Sequence, residues 1–299
     1  MSITIDEKLI KGINIDKKEV IKIQDAKTLN ILWEKVEPDY LYIENVDESD
    51  CELSFETYTS TTLPQPDKYT NKVEFSTDKK TWTTWNFDTA NTLTIPKGGK
   101  VYLRNNSGVF SYYGTDGYYY LTSIKTTMKC NVGGNLNTLL NYNEEILDIS
   151  DKRSCFRRLF VGAKIVDASK LVMPATTLSQ YCYADFLIGN STLIAPPELP
   201  AVNLAEYCYY NFFYRCSSLK VSPSLPATTL AEYCYSNMYE SCTSLNEVTV
   251  YADDISAKGC TKNWLSGVAS TGTFNNYGSA IYTKDSGDGV PAGWEVVKN

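Results

Sequence analysis

None of the 299 residues is His, which removes the most versatile catalytic side chain from the start. Ser-His-Asp and Cys-His nucleophile systems are excluded, and so is every His-containing metal site. The nine cysteines contain no C-x-x-C pair, so a structural zinc site is not expected. "GGK" at Gly98–Lys100 lacks the earlier Gly and the following Ser or Thr of a P-loop, and reads as a hairpin turn. "KDSGDG" at Lys284–Gly289 lacks the carboxylate order and distal Glu of a calcium loop. The densest acidic cluster is Glu144, Glu145, Asp148 and Asp151. Paired carboxylates hydrolyse a glycan only in a pocket and at a set separation. The simpler reading is a solvated acidic face. No catalytic residue, metal ligand or cofactor is expected.

The aromatic residues give a better lead. There are 23 Tyr residues, several of them in "FSYYGTDGYYYL". Tyr112, Tyr113 and Tyr118 flank the turn Gly114–Gly117, where some rings must lie near solvent. Tyr combines a flat apolar body with a hydroxyl and suits sugars or a protein partner at low entropy cost. Cross-strand packing of a hairpin is the competing explanation for the same residues.

These residues sit within a repetitive chain. "VMPATTLSQYCY" from Val172, "LPAVNLAEYCY" from Leu199 and "LPATTLAEYCY" from Leu225 keep Pro174, Pro200 and Pro226 in step. Cys182, Cys208 and Cys234 are also in step, as are Cys216 and Cys242. A fixed period of this size marks a stacked-repeat architecture. Each unit reads as an extended apolar stretch leading into a short helix. Thr228 or Thr229 would cap the third helix, with Leu230, Cys234, Asn237 and Met238 on one face. "SCFRRLFVGAKIVDASKLVMP" is an atypical first unit. Past Val250 the period fades into a terminal cap containing Trp264 and Trp294. Cysteines in fixed register read as buried, reduced filler rather than as disulfides.

Before the repeats, residues 37–128 carry short β-branched and aromatic stretches: "YLYIEN", "CELSFETY", "KVEFST", "TWTTWNF", "TLTIP", "KVYLRNN" and "YYYLTSI". About seven strands at this spacing predict an antiparallel β-sandwich. Residues 1–36 differ again. "EVIKIQDAKTLNILWEK" reads as two short strands, with Ile23 on the first and Leu29, Ile31 and Trp33 on one face of the second. The segment is too small for a core of its own, so it is expected to dock on something else. The expected organisation is therefore a docking segment (1–36), a sandwich (37–128), a repeat solenoid (129–250) and a cap (251–299), mainly β with short helices.

A net charge of −7 argues against a nucleic-acid surface, and no apolar run is long enough to span a membrane. The N-terminus has no apolar h-region, so export by signal peptide is not expected.

"LPATTLAEYCYSNMYESCTSL", followed by "NWLSGVASTGTF" and "GVPAGWEV", resembles the BspA-type leucine-rich-repeat proteins of gut Bacteroidetes and their phages. The likeness covers roughly residues 150–298. "VEFSTDKKTW" and "IPKGGKVYLRNNSG" are similar to the β domain that accompanies such repeats, and "KKEVIKIQDAKTLNILWEK" resembles N-terminal modules of phage tail and head-fibre proteins. The resemblance implies surface display and adhesion rather than one chemistry. With no export signal read, it implies a phage virion protein assembled in the host cytoplasm. Its partners would be other virion proteins through Ile23, Leu29, Ile31 and Trp33, and a host surface glycan or protein, with self-association left open. The alternatives are a bacterial cell-surface adhesin of the same repeat type and a polysaccharide depolymerase.

Overall fold

A computed structural model of the chain describes residues 19–23, 31–35, 38–59, 73–85, 92–108, 110–113, 117, 119–284 and 287–298. The chain divides into two compact units, Met1–Asp39 and Tyr40–Asn299.

In the first unit, β1 (Glu19–Ile23) and β2 (Ile31–Lys35) pair antiparallel, with Ile23 opposite Ile31 and Ile21 opposite Trp33. Leu29 lies outside the described residues.

The second unit is mainly β, in several open sheets. Its first strands are β3 (Leu41–Asn45), β4 (Cys51–Thr59), β5 (Glu74–Ser76), β6 (Thr83–Thr84), β7 (Leu93–Ile95) and β8 (Lys100–Arg104). β9 (Tyr112–Tyr113), β10 (Tyr119–Thr126), β11 (Cys130–Asn135) and β12 (Ile165–Val172) follow. One sheet has the order β7-β4-β10-β9 and another the order β12-β11-β3-β8-β5-β6. Each of the seven stretches read as strands contains one. Alternation sets the inner face: Leu41 and Ile43 of β3, and Val101 and Leu103 of β8, are fully buried. Trp85 bridges the two sheets, its ring 4.7 Å from Phe55 of β4 and 5.8 Å from Phe75 of β5. The turn at Asp78 is held by its carboxylate, which accepts from the N–H groups of Lys80 and Thr81. The Gly98–Gly99 turn is not the hairpin expected from sequence. It joins β7 to β8, which lie in different sheets, so the chain crosses over there.

β11 pairs antiparallel with β3 and parallel with β12. That change of direction joins the sheets to the repeats. β13 (Val221–Leu225), β14 (Glu247–Val250), β15 (Gly272–Asn276) and β16 (Trp294–Lys298) then form a parallel sheet in chain order. The period that fades in the sequence continues in the backbone: Val248 of β14 pairs with Phe274 of β15, and Phe274 with Val296 of β16.

The short helices expected after each Pro phrase are absent. The only helix among the described residues is the 3₁₀ turn Leu136–Leu139. Hydrogen bonding explains the difference. From Tyr207 to Cys216, alternate N–H groups bond three residues back (Cys208 to Ala205, Tyr210 to Tyr207, Phe212 to Tyr209). Those between bond sideways to the next repeat (Tyr207 to Glu232, Tyr209 to Cys234, Asn211 to Ser236). An α-helix satisfies every donor along its own axis, whereas here half of them stitch neighbouring repeats together. The backbone turns at a left-handed residue every fourth position: Tyr207 (φ 56), Asn211 (φ 54) and Arg215 (φ 62) in one repeat, Tyr233 (φ 52), Asn237 (φ 54) and Ser241 (φ 63) in the next. Tyr181, Asp185 and Gly189 precede them in register, and Gly259, Asn263 and Gly267 follow.

A four-residue step places two adjacent residues inside at every turn. Cys208 and Tyr209, then Phe212 and Phe213, are buried, and Cys234, Tyr235, Met238 and Tyr239 repeat the pattern. The rings form a stack, buried except for the half-buried Tyr282 at its end. Phe156–Tyr183, Tyr183–Tyr209, Tyr209–Tyr235, Tyr235–Trp264 and Trp264–Tyr282 lie 5.6–6.5 Å apart, with interplanar angles of 3–25°. All nine cysteines are buried and free, and seven of them lie in the repeats and the turns flanking them.

Candidate ligand-binding surface

The β9–β10 hairpin presents its tyrosines on two faces, because cross-strand partners share a side. Tyr112 pairs with Tyr120, and their rings stack at 4.8 Å. Tyr120 is buried, so Tyr112 packs against the interior. Tyr113 pairs with Tyr119 on the opposite face, with ring centroids 4.9 Å apart. Tyr118 lies outside the described residues. Of Tyr112 and Tyr113, Tyr113 is the one on a larger aromatic surface.

That surface comes from the repeats. Tyr181, Tyr207 and Tyr233 are each half-buried and stack nearly parallel: 4.7 Å and 4° for the first pair, 4.8 Å and 1° for the second. Two arginines join this ladder to the hairpin. The Arg153 guanidinium lies 4.0 Å from the Tyr113 ring and 5.8 Å from that of Tyr181. Arg157 lies 4.5 Å from Tyr119 and 5.0 Å from Tyr181. Cation–π attraction of this kind holds rings and cations in one layer. Arg157 Nε also donates to Asp185 at 3.3 Å, and Asn211 Nδ2 donates to the other oxygen of that carboxylate at 2.8 Å. The strip ends at Gly259, the next position in the tyrosine column. A Cβ there would meet the Tyr233 ring at 2.4 Å, so the missing side chain leaves room for the last ring.

Ring faces within the ladder are covered by neighbouring rings, so edges and hydroxyls are what a ligand meets. Burial pushes the Tyr181 hydroxyl up to about 12 and raises that of Tyr207. Both therefore remain protonated near neutrality, each able to donate and accept. Gln180 and Glu206 run alongside, joined at 2.6 Å. The result is a flat, repetitive strip of phenol edges with fixed arginines at one end. It suits an extended ligand rich in hydroxyls or amides.

The acidic cluster lies elsewhere, on an open cavity of about 640 Å³ lined by Glu144, Glu145, Asp148 and Asp151. The Ser150 N–H holds Asp148 below the ordinary carboxylate range. Glycoside hydrolysis needs one carboxyl group that keeps its proton, and the environment of Asp148 works against that. Among the described residues no group of three or more His, Cys, Asp or Glu is placed to hold a metal, and no helix is long and apolar enough to cross a membrane.

No protein-family model matches the chain, and no curated protein or solved structure matches it.

The repeat tyrosines recur with the period in the sequence, and packing alone is enough to account for such a recurrence. Their partial exposure depends on which side of the four-residue step they occupy. The helical reading, with its different angular spacing, did not distinguish that side from the buried one.

Proposed function

We propose that this protein is a non-enzymatic phage virion appendage, of head fibre or tail, that attaches to a bacterial host through its repeat surface. In this reading Tyr40–Asn299 comprises a β-sandwich followed by a leucine-rich-repeat-type solenoid with 26-residue units and a C-terminal cap. The sideways hydrogen bonds between repeats support the solenoid, and the Trp85 contacts across the two sheets support the sandwich. The observation that carries the functional reading is the strip from Tyr113 through Arg153 and Arg157 to Tyr181, Tyr207 and Tyr233. It continues across two structural regions with half-exposed rings in fixed register. Rigid tyrosine surfaces bind at low entropy cost, and a host glycan, with hydroxyls along its length, matches a row of phenol hydroxyls.

The test removes hydroxyls and leaves the rings. In the full-length protein, Tyr181→Phe combined with Tyr207→Phe keeps the stacked ladder and leaves the melting temperature unchanged. Each lost hydrogen bond to ligand is worth about 0.5–1.5 kcal/mol, so retention on host cells should fall roughly 5- to 150-fold for the pair. Undiminished retention would remove the strip from the binding surface.

The N-terminal unit is the assembly handle in this reading. An isolated two-stranded hairpin is at best marginally stable in water, so β1 and β2 need a partner surface. A chain beginning at Pro38 should melt like the full-length protein and be missing from purified particles. Its normal incorporation into particles would place the docking contact on Tyr40–Asn299.

A further inference from the structure

Cys51 opens β4 and Cys130 opens β11, strands of different sheets, and their sulfurs lie 3.5 Å apart. Both side chains are fully buried, beside the Thr127–Met128 turn that leads from β10 into β11. Each sulfur also faces a backbone carbonyl, Cys51 that of Glu52 at 3.7 Å and Cys130 that of Met128 at 3.5 Å, as Cys216, Cys234, Cys242 and Cys260 do in the repeats. What distinguishes the pair is a second sulfur within contact. Burial pushes Cys182, Cys208, Cys216 and Cys234 above the ordinary thiol range, which keeps them neutral and poorly nucleophilic. Cys51 is shifted the opposite way. The hydrogen bond from the Cys130 thiol holds it below the usual value, with help from the Met128 and Thr127 backbone, and the same bond pushes Cys130 up. The shared hydrogen bond thus makes Cys51 the more easily deprotonated of the two.

We propose that Cys51 and Cys130 form an oxidation site, in which hydrogen peroxide converts the pair to a disulfide that ties the four-stranded sheet to the six-stranded sheet. The Cys51 thiolate attacks one peroxide oxygen; an S–O bond forms, the O–O bond breaks, and hydroxide leaves. The Cys130 sulfur then attacks the sulfenic sulfur, the S–S bond forms, and the S–O bond breaks. The two released hydroxides take up the two thiol protons, so two thiols and one peroxide give one disulfide and two waters. Burial selects the oxidant. A small peroxide can reach these sulfurs during brief local opening, whereas a bulky disulfide reagent cannot. The bond needs the sulfurs to close from 3.5 Å to about 2.05 Å.

The experiment treats the native full-length protein with stoichiometric hydrogen peroxide, quenches, denatures, alkylates and maps the peptides. Nine alkylatable thiols should fall to seven, the two lost being Cys51 and Cys130 on one cross-linked peptide pair, and dithiothreitol should restore nine. Cys51 should be consumed roughly tenfold faster than the repeat cysteines. Thiol loss spread over all nine positions would overturn the proposal, as would Cys51 oxidised to sulfinic acid with Cys130 still alkylated. In a Cys130→Ser variant the expected product is Cys51 sulfenic acid trapped by dimedone, and a Cys51 cross-link to any other cysteine would count against the assigned partner. If that variant does not fold, the wild-type peptide map decides alone.

Discussion

Trp264→Ala should lower stability by about 3–5 kcal/mol, the range for removing a fully buried aromatic side chain. Trp264 is 0% exposed and stands near the end of the buried aromatic stack. Its ring stacks on Tyr235 at 6.5 Å and on Tyr282 at 5.6 Å, and meets Phe274 edge-on at 5.8 Å. Its indole N–H donates to the Gly289 carbonyl at 2.8 Å, tying the last loop to the repeat before it. Truncation removes one of the two buried tryptophans of the terminal region and its one donor together. For a unit of this size, 1 kcal/mol corresponds to roughly 2–4 °C, so the melting temperature should drop by roughly 10 °C. Trp264→Phe keeps most of the stacking and loses the donor, and should cost about half as much. A melting temperature within two or three degrees of wild type for Trp264→Ala would mean that the terminal residues do not close the core.

Much of this architecture is legible in the chain because the evidence for it is redundant. The strands between Tyr40 and Thr126 announce themselves by alternation, and Leu41, Ile43, Val101 and Leu103 fall inside as period two requires. The repeat is legible because side chains at one position stack on their own equivalents, as Cys182, Cys208 and Cys234 do. The crossover at Gly98–Gly99 is not legible. A glycine pair between two short strands has the same local chemistry whether the second strand returns beside the first or moves to another sheet. Continuation of the period past Val250 is hidden for a related reason: backbone pairing preserves it while the residue types change, Gly259 standing where Tyr233 stands one repeat earlier. The Cys51–Cys130 pair is invisible in sequence, since 79 residues separate the two and neither belongs to the periodic series.

The helical reading of the repeats failed for a more specific reason, and the missed signal was in the sequence. Leu230, Cys234, Met238 and Cys242 are spaced by four without drift, as are Tyr235 and Tyr239. A helix of 3.6 residues per turn shifts such a series steadily around its axis. A strict four-residue step needs a backbone that resets at each step, and a left-handed residue provides the reset. Asp185, Asn211, Asn237 and Asn263 occupy one such column. Asn and Asp are the non-glycine residues that visit this conformation most readily.

Substitution at Asn237 should therefore rank opposite to its ranking in a helix. In a helix interior Ala is the most favourable residue, and Gly costs about 1 kcal/mol relative to it. At φ 54 the order inverts. Asn237→Gly should stay within about 0.5 kcal/mol of wild type, its gain in backbone fit offset by the extra freedom of the unfolded chain. Asn237→Ala should cost about 1 kcal/mol, and Asn237→Val more, because a β-branched side chain in the left-handed region is crowded on both sides. Combining Asn237→Val with Asn263→Val, the equivalent position one repeat on, should cost about 2–4 kcal/mol. The combined change should also loosen the sideways hydrogen bond from the Asn237 N–H to the Lys262 carbonyl. Urea unfolding of the four variants measures the series, and amide exchange at residue 237 reports the sideways bond. An order of Ala above Gly would restore the helix and remove the four-residue step on which the half-buried tyrosine column depends.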